Sequence, residues 1–501
     1  MNNKKSYLAL LLILFALPLI VFAAPEKPPG EDGGQGGPGG KPPSGEPGGG
    51  GSANVSYSGA TTITSDTNET EKEYTSTNGS ENALLVSGGT STLNSCSVTK
   101  SGDSEGDNSD FYGTNAAVLA YNGAALNIKG GTVTTNGGHA NAVFAYGTGI
   151  INISDTKIKT TSNNSGAIMV TGGGTLSADN VTAETDGNSS APIRSDRGGG
   201  NLTVNGGTYT SHGVGSPAIY STANIVVNKA TLISTASEGV VVEGKNSVTL
   251  NDVTMEATNT KLNSNSETYK AIFIYQSMSG DAEVGTSSFN SKNSKITNNK
   301  GDIIFVTNTN TVITLENNEI INNDEEGAFL KVTASKWGNS GSNGGTVELN
   351  MINQRADGDI IVDNISELSL SMKNGSVLVG SIDNENQAKK VTLSISNDSV
   401  LSLTKDTYID SLENEDSSNS NIYSNGEYKL YVDGKEVEIN KDTYDSTKKE
   451  ETSDTSTTGS VVEKKTNNNI IYIIIGGAVA LVVIVGLSIT VIVSKKKRYT
   501  N

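Results

Sequence analysis

One short pattern, repeated between Leu93 and Val400, limits what this chain can fold into more than any other feature. Each copy holds an apolar residue, four mostly polar residues with a turn signal, and a second apolar residue. It reads as Leu93/Val98, Ile128/Val133, Ile153/Ile158, Ala178/Ala183, Val204/Tyr209, Val227/Leu232 and Leu250/Met255. It continues as Val284/Phe289, Leu315/Ile320, Met372/Val377 and Ile395/Val400, with a degraded copy near Leu349. Successive copies commonly stand 23 to 26 residues apart, and the longer steps carry polar insertions. A period in the low twenties marks a solenoid, whose units bury their apolar faces only against one another.

The copies contain strand-length alternations such as Leu126-Asn127-Ile128, Leu202-Thr203-Val204 and Ile313-Thr314-Leu315, not helical spacing. Between the paired apolar positions stand Asn205-Gly206, Asn251-Asp252 and Lys129-Gly130, which suit tight corners. Thr132, Thr182, Thr208, Thr231 and Thr254 precede the second apolar residue in five copies. Stacked coil on coil, they would form a column with the ordinary strand spacing of about 4.8 Å. Only Pro192 and Pro217 fall in the repeats, as expected where proline would remove ladder hydrogen bonds. The expected architecture is all-β: a right-handed parallel β-helix of about twelve coils over residues 53–424. The run Tyr428–Val437, with Asp433-Gly434 at its centre, reads as a hairpin that closes the end within residues 425–440.

The flanks read differently. Residues 1–23 have the form of a secretory signal, with Lys4-Lys5 before an apolar run and small residues at Ala23-Ala24. Residues 24–52 are rich in Pro and Gly and lack the apolar surface to fold. Residues 441–469 read as a polar stalk. Residues 470–493 form an uncharged apolar run long enough to cross a bilayer as a single C-terminal transmembrane helix. Lys495-Lys496-Lys497-Arg498 opens the 494–501 tail and places it in the cytoplasm. The expected location is therefore the cell membrane, crossed once, with the solenoid outside. Setting aside Lys4, Lys5 and the four basic tail residues takes the formal charge from −18 to −24 for the exported part. Such a surface repels nucleic acid. The lone Cys96 occupies a repeat position and reads as a small buried residue. No cofactor and no metal is expected.

Aligning the copies on Val118, Val143, Ile168, Ile193, Ile219, Val240 and Ile272 gives the candidate binding surface. If these point inward, Leu119, Phe144, Met169, Arg194 and Tyr220 point outward, followed two residues later by Tyr121, Tyr146 and Asp196. With Arg197, these form an apolar and aromatic stripe beside a charged cluster. It serves as a ligand site unless residues 53–80 or the insertions fold over it. Arg194-Ser195-Asp196-Arg197 reads as local ion pairing before Gly198-Gly199-Gly200, as an anion or glycan contact or, ranked last, as a catalytic group. His139 and His212 lie in Gly-rich corners and read as exposed loop residues.

Gly79–Val86, Asp110–Asn115, Ile193–Gly200 and Ser216–Thr222 resemble segments of a family of right-handed parallel β-helix surface proteins from Gram-positive-type bacteria, described as adhesin-like. The resemblance implies the pectate-lyase-like fold and no particular activity. The wall-sorting motif Leu-Pro-x-Thr-Gly is absent; Thr457-Thr458-Gly459 lacks the Leu-Pro. The function expected is adhesion or recognition of an extracellular glycan or protein. The alternatives are a structural spacer without a ligand and, ranked last, a polysaccharide lyase or hydrolase.

Overall fold

The computed structural model describes residues 55–262 and 266–445. The expected signal segment, the Pro/Gly-rich stretch, the stalk beyond residue 445, the apolar span and the basic tail lie outside them. Among the described residues no helix is long and apolar enough to cross a membrane.

The chain winds as a parallel β-solenoid. Its first sheet has 12 strands from Gly59–Ile63 to Ile360–Val362, and its second has 14, from Thr67–Thr70 to Ser411–Asn414. A third has 10 strands from Glu73–Ser76 to Glu319–Asn322, and a 4-stranded sheet from Arg355–Asp357 to Ile422–Tyr423 follows it. Strands of these four sheets pair in parallel with their equivalents one coil away, as Val143 does with Ile168 and Ile151 with Leu176. The bridge from Ile360 to Ile382 and the strand pair Thr407–Ile409 and Leu430–Val432 carry the winding to about 15 turns. Twelve was an undercount because the terminal coils lack the apolar pair. Glu69 stands in register with Leu93 at one end, and Asn414 with Ile395 at the other.

Inside, Val118, Val143, Ile168, Ile193, Ile219, Val240, Ile272 and Ile304 stack in one column of the main core, all fully buried. The paired apolar positions supply the facing columns, and Cys96 is buried among them. One expected copy is shifted. Leu250 and Met255 stand in register with Ser291 and Ile296, not with Val284 and Phe289. Phe289 matches Val248, and Val284 is 76% exposed in a loop. Serine at the apolar position hid the true copy. The degraded copy is Met351/Ala356, since Met351 pairs with both Leu315 and Met372. Thr182, Thr208, Thr231 and Thr254 do stack in register, and Lys157 separates them from Thr132.

The corner that follows the second-sheet strand has a left-handed residue in coil after coil: Ser95, Gly130, Asp155, Asn180, Gly206, Lys229, Asp252, Asn293 and Asn317 before the third sheet, and Asn353 and Asn374 before the 4-stranded one. Asn, Asp and Gly tolerate this backbone best, which explains the turn signal inside each repeat. Side-chain ladders tie the corner along the axis, as in Asn228 to Asn205 at 2.9 Å and Asn251 to Asn228 at 2.9 Å. At the far end Leu430–Val432 turns back through Asp433-Gly434, both at positive φ, to pair antiparallel with Lys435–Val437.

Candidate functional site

The pleat sends alternate first-sheet residues outward, and Leu119, Phe144, Met169, Arg194 and Tyr220 do stack in one outer column. Their expected exposure is corrected by the structure. Leu119, Phe144 and Met169 are fully buried in a second apolar cluster with Leu85 and Ala116. The insertion 101–117, which holds the short helix Asp107–Tyr112, lies against this column. Thr171 donates to the Phe111 carbonyl at 2.6 Å, and a Cβ at Gly113, where φ is 74°, would lie 2.9 Å from the Phe144 ring. Tyr57, Tyr121 and Tyr146, each half-buried, close the rim, with Tyr57 and Tyr121 at 4.4 Å and Tyr112 edge-on to Tyr146 at 5.5 Å. Farther along, Val241, Phe273, Tyr275 and Phe305 form a third apolar cluster, with Tyr220 and Trp337 against it.

Between these clusters lies a polar centre. Arg194 and Asp196 are buried and paired with each other at 3.2 Å, and Arg194 also donates to the Ser189 carbonyl. This is the local pairing, so neither side chain faces an open ligand site. Arg197 reaches across instead, to Asp281 at 2.5 Å and Asp107 at 3.3 Å, with its guanidinium 3.9 Å above the Phe111 ring. Glu243 accepts from Tyr220, Tyr275 and Ser277. Burial pushes the Asp196 carboxyl up to about 7, against the opposing pull of Arg194. Burial likewise raises Glu243, although the Ser277 hydrogen bond works the other way. Glycoside hydrolysis uses a pair of carboxyl groups, one raised in pKa as the acid and the other ionised. Here Asp196 is 5% exposed and Glu243 is 1% exposed, and neighbouring side chains occupy both.

His139 is half-buried, not exposed, and bonds Asp110 at 2.9 Å. His212 is exposed, and with Glu184 and Asp186 it could hold a metal ion by geometry. The Lys159 ammonium already stands between those two carboxylates, at 2.9 and 2.6 Å, and its hydrogen bond holds Glu184 below the usual carboxylate range.

One opening in the surface of the described residues lies on the second sheet, outside the stripe expected from the sequence. That sheet's outer face forms a groove of about 360 Å³ across five successive strands. One wall is the register column Thr286, Asn310, Thr346, Glu367 and Lys390. The floor is Val312, Glu348, Ser369 and Thr392, with Thr392 and Ser369 hydroxyls 3.2 Å apart. The Lys389 hydrogen bond keeps Glu367 below its usual range, so it presents a carboxylate. The strict alternation of these strands was the available signal, because an alternating strand leaves one face to solvent. No protein-family model, curated protein or solved structure matches this chain.

Proposed function

We propose that this is a membrane-anchored cell-surface recognition protein, a right-handed, pectate-lyase-like β-helix that binds an extended extracellular glycan along its second sheet. The groove carries the reading. It runs along the solenoid axis for roughly 19 Å, four strand spacings. Each strand presents at least one polar side chain, a hydroxyl, amide or carboxylate or the amine of Lys390, at a repeat close to the rise of an extended pyranose chain. Val312 adds a small apolar floor. The acidic chain disfavours nucleic acid as partner. The stalk and apolar span of residues 441–493 would hold the solenoid away from the bilayer.

Screening residues 55–445 on a glycan array, beside a variant with Ser369→Arg and Thr392→Arg, tests the reading. Binding to a defined set of neutral or amino-sugar polymers is expected, and its loss in the variant. A protein that binds no glycan would instead be a spacer.

A further inference from the structure

The ionic groups of the second-sheet groove are set unevenly along it. Glu348 stands on the floor, and Glu367 and Lys390 stand in the wall. Glu367 is neutralised from the rim, where the Lys389 ammonium lies 2.7 Å away. The other two have no such partner. Glu348 is exposed and accepts from the Asn350 amide at 2.9 Å, with no cation paired to it among the described residues. Lys390 is exposed, and its ammonium makes no hydrogen bond or ion pair among the described residues. Register keeps the two charges apart. Lys390 pairs with Glu367, which pairs with Thr346, two residues before Glu348 on its strand. The amine and the carboxylate therefore lie in different columns and two strand spacings apart, about 10 Å along the axis. Around Glu348 the floor is uncharged, since Val312 and Ser369 flank it in register.

We propose, resting on the groove as a glycan site, that its ligand is a partly de-N-acetylated hexosamine chain, with a free ammonium on Glu348 and an acetamido sugar beside Lys390. A sugar ammonium gives Glu348 a charge-assisted pair, stronger than a bond between neutral groups. A fully acetylated chain has no group to supply it. A fully deacetylated chain sets a second ammonium next to the free Lys390 amine, and like charges brought together across an interface cost affinity. Glu367 does not offset this, because Lys389 already holds it. Net charge alone gives a different order: a chain at −18 draws a polycation more strongly with every amine it carries. The local pattern and the overall field therefore rank the same ligands differently.

Calorimetric titration of the full-length chain with glucosamine hexamers separates the two. The probes are fully acetylated, half-acetylated and fully deacetylated, in mildly acidic buffer where the sugar amines are protonated. The half-acetylated hexamer is expected to bind tightest, by about threefold or more over each of the others, the scale of one exposed ion pair. Glu348→Gln should remove its advantage over the acetylated hexamer. Lys390→Gln should raise affinity for the deacetylated hexamer by about threefold. Equal affinity for all three, or an order that follows amine count, overturns the inference and leaves the groove as a glycan site. So does a glycan of another class that binds through Ser369 and Thr392 while no hexamer binds. Hexamer binding that neither substitution changes also overturns it. Absence of binding to any glycan overturns the groove reading and this inference together.

Discussion

At the corner between the second and third sheets, a single residue's backbone decides how well a coil closes. Lys229 sits there with φ of 54°, in a column otherwise filled mostly by Asn, Asp and Gly. A left-handed conformation costs an ordinary L-residue roughly 1–2 kcal/mol, and glycine escapes that cost while losing some chain entropy. Lys229→Gly should therefore stabilise the protein by about 0.5–1 kcal/mol. The reverse change one coil earlier isolates the same effect. A Cβ on Gly206 would have only the Lys229 carbonyl within 4 Å, at 3.9 Å, so no clash contributes. Gly206→Ala should cost about 0.5–1 kcal/mol, the conformational penalty less glycine's extra chain entropy. Urea midpoints of the two variants check both signs, and equal, unshifted midpoints would contradict the corner argument.

Whole strands show where the sequence was legible and where it was misleading. The second sheet's alternation, as in Ile313-Thr314-Leu315, gave register and inward face directly, because only one side of those strands meets the core. The first sheet reads differently. Ile272-Phe273-Ile274-Tyr275, Ile304-Phe305-Val306 and Val240-Val241-Val242 are apolar without interruption, and all are buried. Continuous apolar runs are the mark of strands covered on both faces. That mark stood in the sequence and argued against an exposed stripe at Phe144. The covers were harder to see. Phe111, Tyr112 and Gly113 lie in an otherwise polar insertion, and a repeat pattern places the repeats but not what folds back over them. Long steps between copies mark those insertions, and serine at position 291 blurred one of them. With Phe144 wholly buried, Phe144→Ala should cost about 3–5 kcal/mol. Ile150, 43% exposed on the neighbouring strand, should tolerate alanine within about 0.5 kcal/mol. Comparable losses at both positions would mean the cover is misplaced.

On the scale of the whole molecule, the Leu430–Val437 hairpin lies on the last described coil, Asn440 after it still bridges Tyr423 in parallel, and every described strand lies before residue 446. Deleting residues 470–501 should therefore release a folded, β-rich protein into the medium. A cell-bound or aggregated product would contradict the proposed anchor. Insertions cover the outer face of the first sheet and leave the second sheet's groove open, which supports the proposal that recognition occurs there. One property of the chain makes this directly measurable. Its single cysteine, Cys96, is buried, so a new surface cysteine can be labelled alone. An environment-sensitive dye on Ser369→Cys, titrated with the best glycan from the array, should give a saturable emission change. The same dye on Thr254→Cys, on the exposed face of the third sheet, should give none. Tight glycan binding with no response at position 369 would contradict the assignment of recognition to the second sheet.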